Sequence, residues 1–399
     1  MRHFGHVAPE VRKRLFHKEP VTFTADSPAR LLSAALGATL YSPATRPRLA
    51  DDVLKQGGRG VVSMVLCLED SIDDADVTAG EENLVRQLTD LAARPGADVP
   101  LLFVRVRTPE QIPDLVRRLG GAVRLLSGFV LPKFTEERGM PFLEALSGAE
   151  AASGRRLFAM PVLESPELLY RESRVPTLEG IFRAVDKYRD RVLALRLGVT
   201  DFCSSYGLRR APDMTAYDVQ VVASVISDVV NMLGRADGTG FTVTGPVWEY
   251  FRVQERMFKP QLRQSPFLQV QAAELRQKLI EHAMDGLLRE ISLDHANGLL
   301  GKTCIHPSHV LPVHALSVVS HEEFSDAQDI LRPERGGGGV LRSAYTNKMN
   351  EVKPHRAWAE RTLLRAEAFG WRTRTSASWN CSPPDCPADH QDAMNDARD

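Results

Sequence analysis

Apolar residues along this chain gather into eight short runs, and between them they recur every three or four positions. The runs are Ala38–Ser42, Gly60–Leu68, Val99–Val106, Gly128–Pro132, Leu157–Leu163, Val192–Gly198, Gly240–Gly245 and Gly301–Pro307. Each is of strand length, and several are apolar almost throughout, as expected of strands buried on both faces of a parallel sheet. The intervening stretches have helical spacing: Leu49–Gln56, Asn83–Ala93, Pro109–Leu119, Glu136–Leu146, Thr177–Arg189, Tyr217–Leu233 and the later part of Pro246–Gly298, with Leu31–Ala35 ahead of the first strand. Eight strands alternating with helices predict an α/β fold, a (β/α)8 TIM barrel rather than a doubly wound sheet.

The pattern divides the 399 residues into four parts. Residues 1–26 are mixed and polar and read as an N-terminal arm, and residues 27–315 hold the barrel. Residues 316–370 form a C-terminal helical extension, with helices at Glu322–Leu331 and Ala357–Ala368 around a flexible break at Arg332–Gly339. Residues 371–399, rich in Ser, Asp, Pro and Ala, read as a disordered tail.

Charge and cysteine content change the picture little, but they exclude some partners. The formal net charge is −1, with 50 basic and 51 acidic residues, so no basic surplus suggests nucleic acid. Cys67, Cys203 and Cys304 lie in or just after apolar runs and read as packed thiols, while Cys381 and Cys386 lack zinc-site spacing. No apolar run is long enough to span a membrane or to act as a secretory signal. The expectation is a cytoplasmic enzyme acting on a small molecule, with reduced thiols and no membrane partner.

Chemistry concentrates where two of the runs end. Leu157–Leu163 is followed at once by Glu164, and Val192–Gly198 is followed three residues later by Asp201, with one helix between the runs. Both acids therefore belong on the carboxyl rim of the sheet, where α/β folds bind ligands. Two carboxylates so close repel each other and lose solvation, and a hard divalent cation such as Mg²⁺ relieves both. The alternative is that each merely caps the turn or helix that follows it. Glu69 and Asp70 end the second run, Arg105 the third and Lys133 the fourth.

These segments together resemble the HpcH/HpaI aldolase and citrate lyase beta-subunit superfamily, and within it the citrate-lyase-like carbon–carbon bond lyases. The likeness runs from about Leu40 to Ala368. It is carried by Tyr41-Ser-Pro-Ala-Thr-Arg-Pro-Arg48, Leu68-Glu-Asp70, Phe103-Val-Arg-Val106, Leu131-Pro-Lys133, Pro161-Val-Leu-Glu164, Leu197-Gly-Val-Thr-Asp201 and Gly301-Lys through Ile305-His-Pro-Ser308. Each motif alone is weak; seven in order are specific.

The resemblance implies a Mg²⁺-dependent lyase or aldolase, with Mn²⁺ as a substitute, that cleaves or forms a 3-hydroxy or 2-keto acid through an enolate. A coenzyme A thioester is one form that substrate takes. Glu164 and Asp201 would hold the metal, and Arg105 would bind the substrate carboxylate through its planar fork. An ion pair of Arg105 with Glu69 or Asp70 inside the barrel is the competing expectation. Glu69 and Asp70 would orient Arg105 or hold water, with Lys133 in support, and Arg48, or else Arg46, would reach a substrate carboxylate or phosphate. His306, before a proline at a strand end, reads as a packed residue rather than a base. The resemblance also implies a homotrimer or hexamer whose C-terminal segment carries an acid into a neighbouring site. Here that segment reads Asn347-Lys-Met-Asn-Glu-Val-Lys-Pro-His355, one residue longer than in relatives, with Asn350 and Glu351 where an Asp is expected. Glu351 is the candidate. The aromatic and cationic passage Trp248–Arg263 fits either a pocket or a subunit contact. A phosphotransfer enzyme acting on a pyruvate enolate, and a barrel that binds a metabolite without catalysis, are the competing functions.

Overall fold

A computed structural model describes residues 1–96, 98–251, 272–332 and 338–372. The strands are β1 (Phe16–Lys18), β2 (Ala38–Pro43), β3 (Ser63–Cys67), β4 (Leu101–Arg105), β5 (Leu126–Leu131), β6 (Phe158–Leu163), β7 (Leu195–Leu197), β8 (Val243–Thr244), β9 (Lys302–Cys304), β10 (Val340–Arg342), β11 (Met349–Glu351) and β12 (Trp371–Arg372). The helices are α1 (Pro9–Leu15), α2 (Ala29–Ala35), α3 (Leu49–Gly58), α4 (Val77–Ala93), α5 (Gln111–Leu119), α6 (Glu136–Ser153), α7 (Arg171–Lys187), α8 (Val199–Ser204), α9 (Gln220–Leu233), α10 (Ala272–Ala296), α11 (Val310–Ser317), α12 (His321–Leu331) and α13 (Val352–Phe369).

Eight strands form one parallel sheet in the order β8-β7-β6-β5-β4-β3-β2-β9. A further parallel bridge between Gly245 and Lys302 joins its two ends, so the sheet closes on itself as a TIM barrel. Outside it, β10 and β11 form a hairpin, and β1 pairs antiparallel with β12, tying the N-terminal arm to the end of α13.

The period-2 geometry of a strand decides what fills the barrel and what covers it. On β4, Leu101 and Phe103 turn into the interior cluster with Val65, Val130, Phe158, Met160 and Val162, while Leu102 and Val104 join the layer under the helices. Continuing the inward series by one step gives Arg105 on β4, Glu69 beyond β3 and Glu164 beyond β6. Three charged side chains therefore stand above the barrel interior.

Helix lengths differ from expectation where prolines sit. The helix expected to start at Thr177 begins at Arg171 and carries Pro176 inside it, and the one expected from Ala357 begins at Val352 with Pro354 in its first turn. Proline is tolerated in a first turn because its missing N–H would have had no helical partner. Trp248 and Tyr250 are core residues: Trp248 is buried against Gly286, and the Tyr250 hydroxyl donates to the Arg210 carbonyl. Residues 252–263 of the Trp248–Arg263 passage and most of the Arg332–Gly339 break lie outside the described residues. So does the expected tail except for Trp371 and Arg372, which form β12 instead because Trp371 is buried and paired with β1.

Candidate active site

The carboxyl rim of β3 to β7 brings six charged side chains together. Arg105, buried at the end of β4, is the hub. Its Nη2 lies 2.6 Å from Glu69 Oε2, 3.0 Å from Asp70 Oδ2 and 2.9 Å from Glu164 Oε1. Lys133 Nζ reaches Glu69 Oε1 at 2.9 Å and Asp70 Oδ1 at 3.7 Å. The expected interior ion pair of Arg105 is thus present, but it is shared among three acids, one of them Glu164.

Glu164 is only 3% exposed, and two local features hold it. Lys133 adopts φ +47°, a left-handed conformation that costs about 1–3 kcal/mol in a non-glycine residue, and its backbone N–H donates to Glu164 Oε1 at 2.9 Å. Gly198 lies alongside, where a Cβ would stand 2.2 Å from Glu164 Cβ and 2.6 Å from Glu164 Oε2. The next turn, Pro166–Leu168, is headed by Ser165, so Glu164 is not its cap. Asp201 enters from the first turn of α8, the short helix that Gly198 opens.

One ligand oxygen from each of Asp70, Glu164 and Asp201 falls within 4.8 Å of the others. Asp70, expected only to support Arg105, is therefore part of this cluster. In a Mg²⁺ octahedron adjacent oxygens stand about 3.0 Å apart and opposite ones about 4.2 Å, and of three ligands at most one pair can be opposite, so the three carboxylates must draw closer together to share one ion. Around the cluster, Glu69, Asp70, Glu164 and Asp201 face Arg105 and Lys133, a local surplus of two negative charges if all six are ionised.

The titration behaviour follows from this crowding. Burial pushes the Glu164 carboxyl up to about 7, and the charge of Asp201 adds to the shift against the pull of Arg105. Burial also raises Asp201, with Asp70 contributing, and raises Glu69. Asp70 is held low despite its burial, through its bond to Glu69 and the charges of Arg105 and Lys133. For Arg105, burial alone would favour loss of the proton, and the charges of Glu164 and Glu69 more than offset it. A dication is the simplest group to lower the energy of such a set.

Beside the cluster opens a cavity of about 550 Å³ lined by Glu69, Asp70, Ile72, Asp73, Asp74, Arg107 and Lys133. Arg107, which follows the third run, staples that wall. It donates to the carbonyls of Leu68, Glu69 and Ile72 and pairs with Asp74. Of the other sequence candidates, Arg48 is exposed on the loop after β2, and Arg46 is engaged by Asp52. Glu351 is exposed at the head of α13, where its backbone N–H donates to His355 Nδ1. Neither Arg48 nor Glu351 contacts the six rim residues. Asn350 is buried and donates to Asp326, which also pairs with Lys348. His306 stacks on Phe251 with ring centroids 4.5 Å apart and bonds Ser308 through Nδ1.

Two buried cations on the barrel strands escaped the sequence reading. Arg196 lies on the inner face of β7, and Lys302 of β9 sits in an ionic network with Glu290 and Asp294. In the sequence both stand inside apolar strand runs, and that interruption was the available signal.

Comparison with known proteins places this arrangement. A family model described as carbon–carbon bond lyases of the TIM-barrel fold matches residues 30–371. A structure of a citrate lyase from Burkholderia xenovorans LB400 is 16% identical, with a TM-score of 0.58 over 84% of this chain and 93% of that one. A structure of CitE from Mycobacterium tuberculosis, in complex with magnesium, acetoacetate and coenzyme A, is 20% identical, with a TM-score of 0.51 over 84% of this chain and 99% of that one. At such identities the two structures speak for the fold. No curated protein sequence matches the chain.

Proposed function

The chain belongs to the carbon–carbon bond lyases of the TIM-barrel fold, and on that premise we propose that it is a Mg²⁺-dependent lyase or aldolase that cleaves or forms a 3-hydroxy or 2-keto acid, with Mn²⁺ as a substitute ion. The observation that carries this reading is the convergence of Asp70, Glu164 and Asp201 within 4.8 Å, beside an arginine that touches two of them.

In this proposal Glu164 and Asp201, with Asp70, hold the ion. When bound, it supplies Lewis-acid stabilisation of the negative charge that develops on a carbonyl-derived oxygen during carbon–carbon cleavage. Arg105 orients the substrate. Its Nη2 is committed to the rim acids, whereas its Nη1 makes no bond to a described residue and is left for a substrate carboxylate. Lys133 and Glu69 fix the Arg105 guanidinium and close the rim towards the cavity. Arg48, exposed and without a described partner, is the outer contact for a substrate carboxylate or for the phosphates of a coenzyme A thioester.

Glu351 enters the same proposal as an acid delivered to a neighbouring subunit's site in a homotrimer or hexamer. Support comes from its exposure at the head of α13 and from the apolar hairpin beside it, where Val340 is 59% and Met349 57% exposed. Apolar side chains so open suit a covering partner.

The test is a panel of hydroxy acids, keto acids and their thioesters, assayed for release of pyruvate, oxaloacetate, glyoxylate or acetate with and without a chelator. Turnover that stops with the chelator and in Glu164→Gln and Asp201→Asn supports the reading. Full activity of either variant in chelator refutes it.

A further inference from the structure

Beneath the acidic rim the barrel holds a second polar layer that the proposed chemistry leaves unused. Tyr41 of β2 and Arg196 of β7 both face inward. Tyr41 pairs with Val65, one inward step below Cys67, which pairs with Arg105; Arg196 pairs with Val162, one inward step below Glu164. The two residues thus lie a layer deeper than the hub arginine and the buried acid.

Arg196 is 1% exposed, and among the described residues no carboxylate pairs with it. Its Nη2 donates to Thr303 Oγ1 at 2.7 Å and its Nη1 to Thr39 Oγ1 at 3.4 Å, and its Nε has no partner. A guanidinium held by two neutral hydroxyls keeps most of its desolvation penalty, so shape-filling alone would favour an apolar residue here. What the charge does touch is Tyr41, whose ring centroid lies 5.5 Å from the guanidinium carbon.

Tyr41 is half-buried, and its hydroxyl makes no hydrogen bond to any described residue. A phenylalanine would plug the barrel equally well. The ring rises from the layer directly beneath the one that carries Arg105 and Glu164. Its hydroxyl is a donor beneath the rim, with no described residue to receive its proton.

We propose that Tyr41 is a substrate-contacting residue, its hydroxyl donating a hydrogen bond from the barrel floor to an oxygen of the bound keto or hydroxy acid, and that Arg196 is the positioning residue that holds the Tyr41 ring from beneath. This rests on the metal-site reading given above and extends it. The ligand is then gripped from two sides, by Arg105 at the rim and by Tyr41 below. Tyr41 also discriminates, because a site built around a donor disfavours ligands with no acceptor at that point.

The test uses oxalate, a planar dianion that resembles the enolate of a 2-keto acid, titrated calorimetrically into the full chain with Mg²⁺ present. Tyr41→Phe is expected to weaken oxalate binding about tenfold or more, the loss of one hydrogen bond to a charged acceptor, while Mg²⁺ binding without oxalate changes less than about twofold. Arg196→Met is expected to weaken oxalate binding similarly while keeping or raising the melting temperature, since it removes an uncompensated buried charge. A merely structural Arg196 would show the reverse: a lowered melting temperature and intact oxalate binding by the folded protein. Oxalate binding by Tyr41→Phe equal to that of the unsubstituted protein overturns the proposal and leaves the metal site standing. Failure of the unsubstituted protein to bind oxalate in a Mg²⁺-dependent way overturns the metal-site reading itself, and this inference with it.

Discussion

Glu164 concentrates the electrostatic cost of the site in one side chain. Its folded-state pKa, pushed up by burial to about 7, stands above the ordinary carboxylate value of 4.5. Between those two values the Glu164 carboxyl binds more protons in the folded protein than in the unfolded chain, so its contribution to stability without a divalent ion falls as pH rises through the window and is level on either side. The size of the fall is on the order of 3 kcal/mol. Thermal melts in chelator from pH 4.5 to 7.5 would show it as the difference between the unsubstituted protein and Glu164→Gln, since His3, His295 and His309, whose pKa values burial lowers, add an opposite slope common to both proteins. A difference that climbs across that range would contradict the account. Gly198 gives a second prediction, because Gly198→Ala sets a methyl group against Glu164. Overpacking of this kind costs about 1–3 kcal/mol, and Mg²⁺ affinity should fall although no ligand has been changed. Unaltered affinity in a titration would show that Glu164 is not held as described. At this scale Glu164, Asp201 and Arg105 were legible because each ends or closely follows an apolar run, a position that has meaning in any parallel sheet. The left-handed backbone of Lys133 and the entry of Asp70 into the cluster were not, since both depend on how neighbouring strands are staggered.

Among the elements, β9 and α10 are joined by charge rather than by apolar packing alone. Lys302 Nζ lies 2.7 Å from Glu290 Oε1 and 2.8 Å from Asp294 Oδ2, Arg210 Nη1 lies 2.7 Å from Glu290 Oε2, and the Tyr217 hydroxyl donates to Asp294. All four charged groups are buried. Lys302→Met would leave two carboxylates facing a single arginine, and removing one member of a buried network costs about 3–5 kcal/mol. Chemical denaturation should register that loss, and a change below about 1 kcal/mol would mean the network is looser than its distances suggest. Sequence periodicity found every strand of the barrel, because a strand buried on both faces leaves a run of apolar residues that little else produces. It misjudged helix starts at Pro176 and Pro354: Pro354 is accommodated in a first turn, whereas Pro176 is carried inside its helix. It could not find the Lys302 network, whose members are distant in sequence character and meet only once β9 docks against α10.

For the molecule as a whole, closure of the sheet between β8 and β9 turns a row of strand ends into a ring, and the ring gives the acids a common centre. The closely packed barrel interior beneath them, buried Arg196 included, limits water from below, so the surplus of negative charge is felt more strongly than it would be on an open surface. The tie between β1 and β12, reinforced by His3 stacked on Phe369 with centroids 4.1 Å apart, keeps the C-terminal helix against the barrel. The chain thereby presents a rigid, acidic, half-enclosed mouth suited to a cation and a small anion together. The most direct test of that claim is a calorimetric titration of Mg²⁺ into chelator-stripped protein at pH 8, beside Glu164→Gln and Asp201→Asn. The account predicts one saturable site in the unsubstituted protein and its loss in both variants, with folding retained; equal Mg²⁺ binding by all three proteins would contradict it.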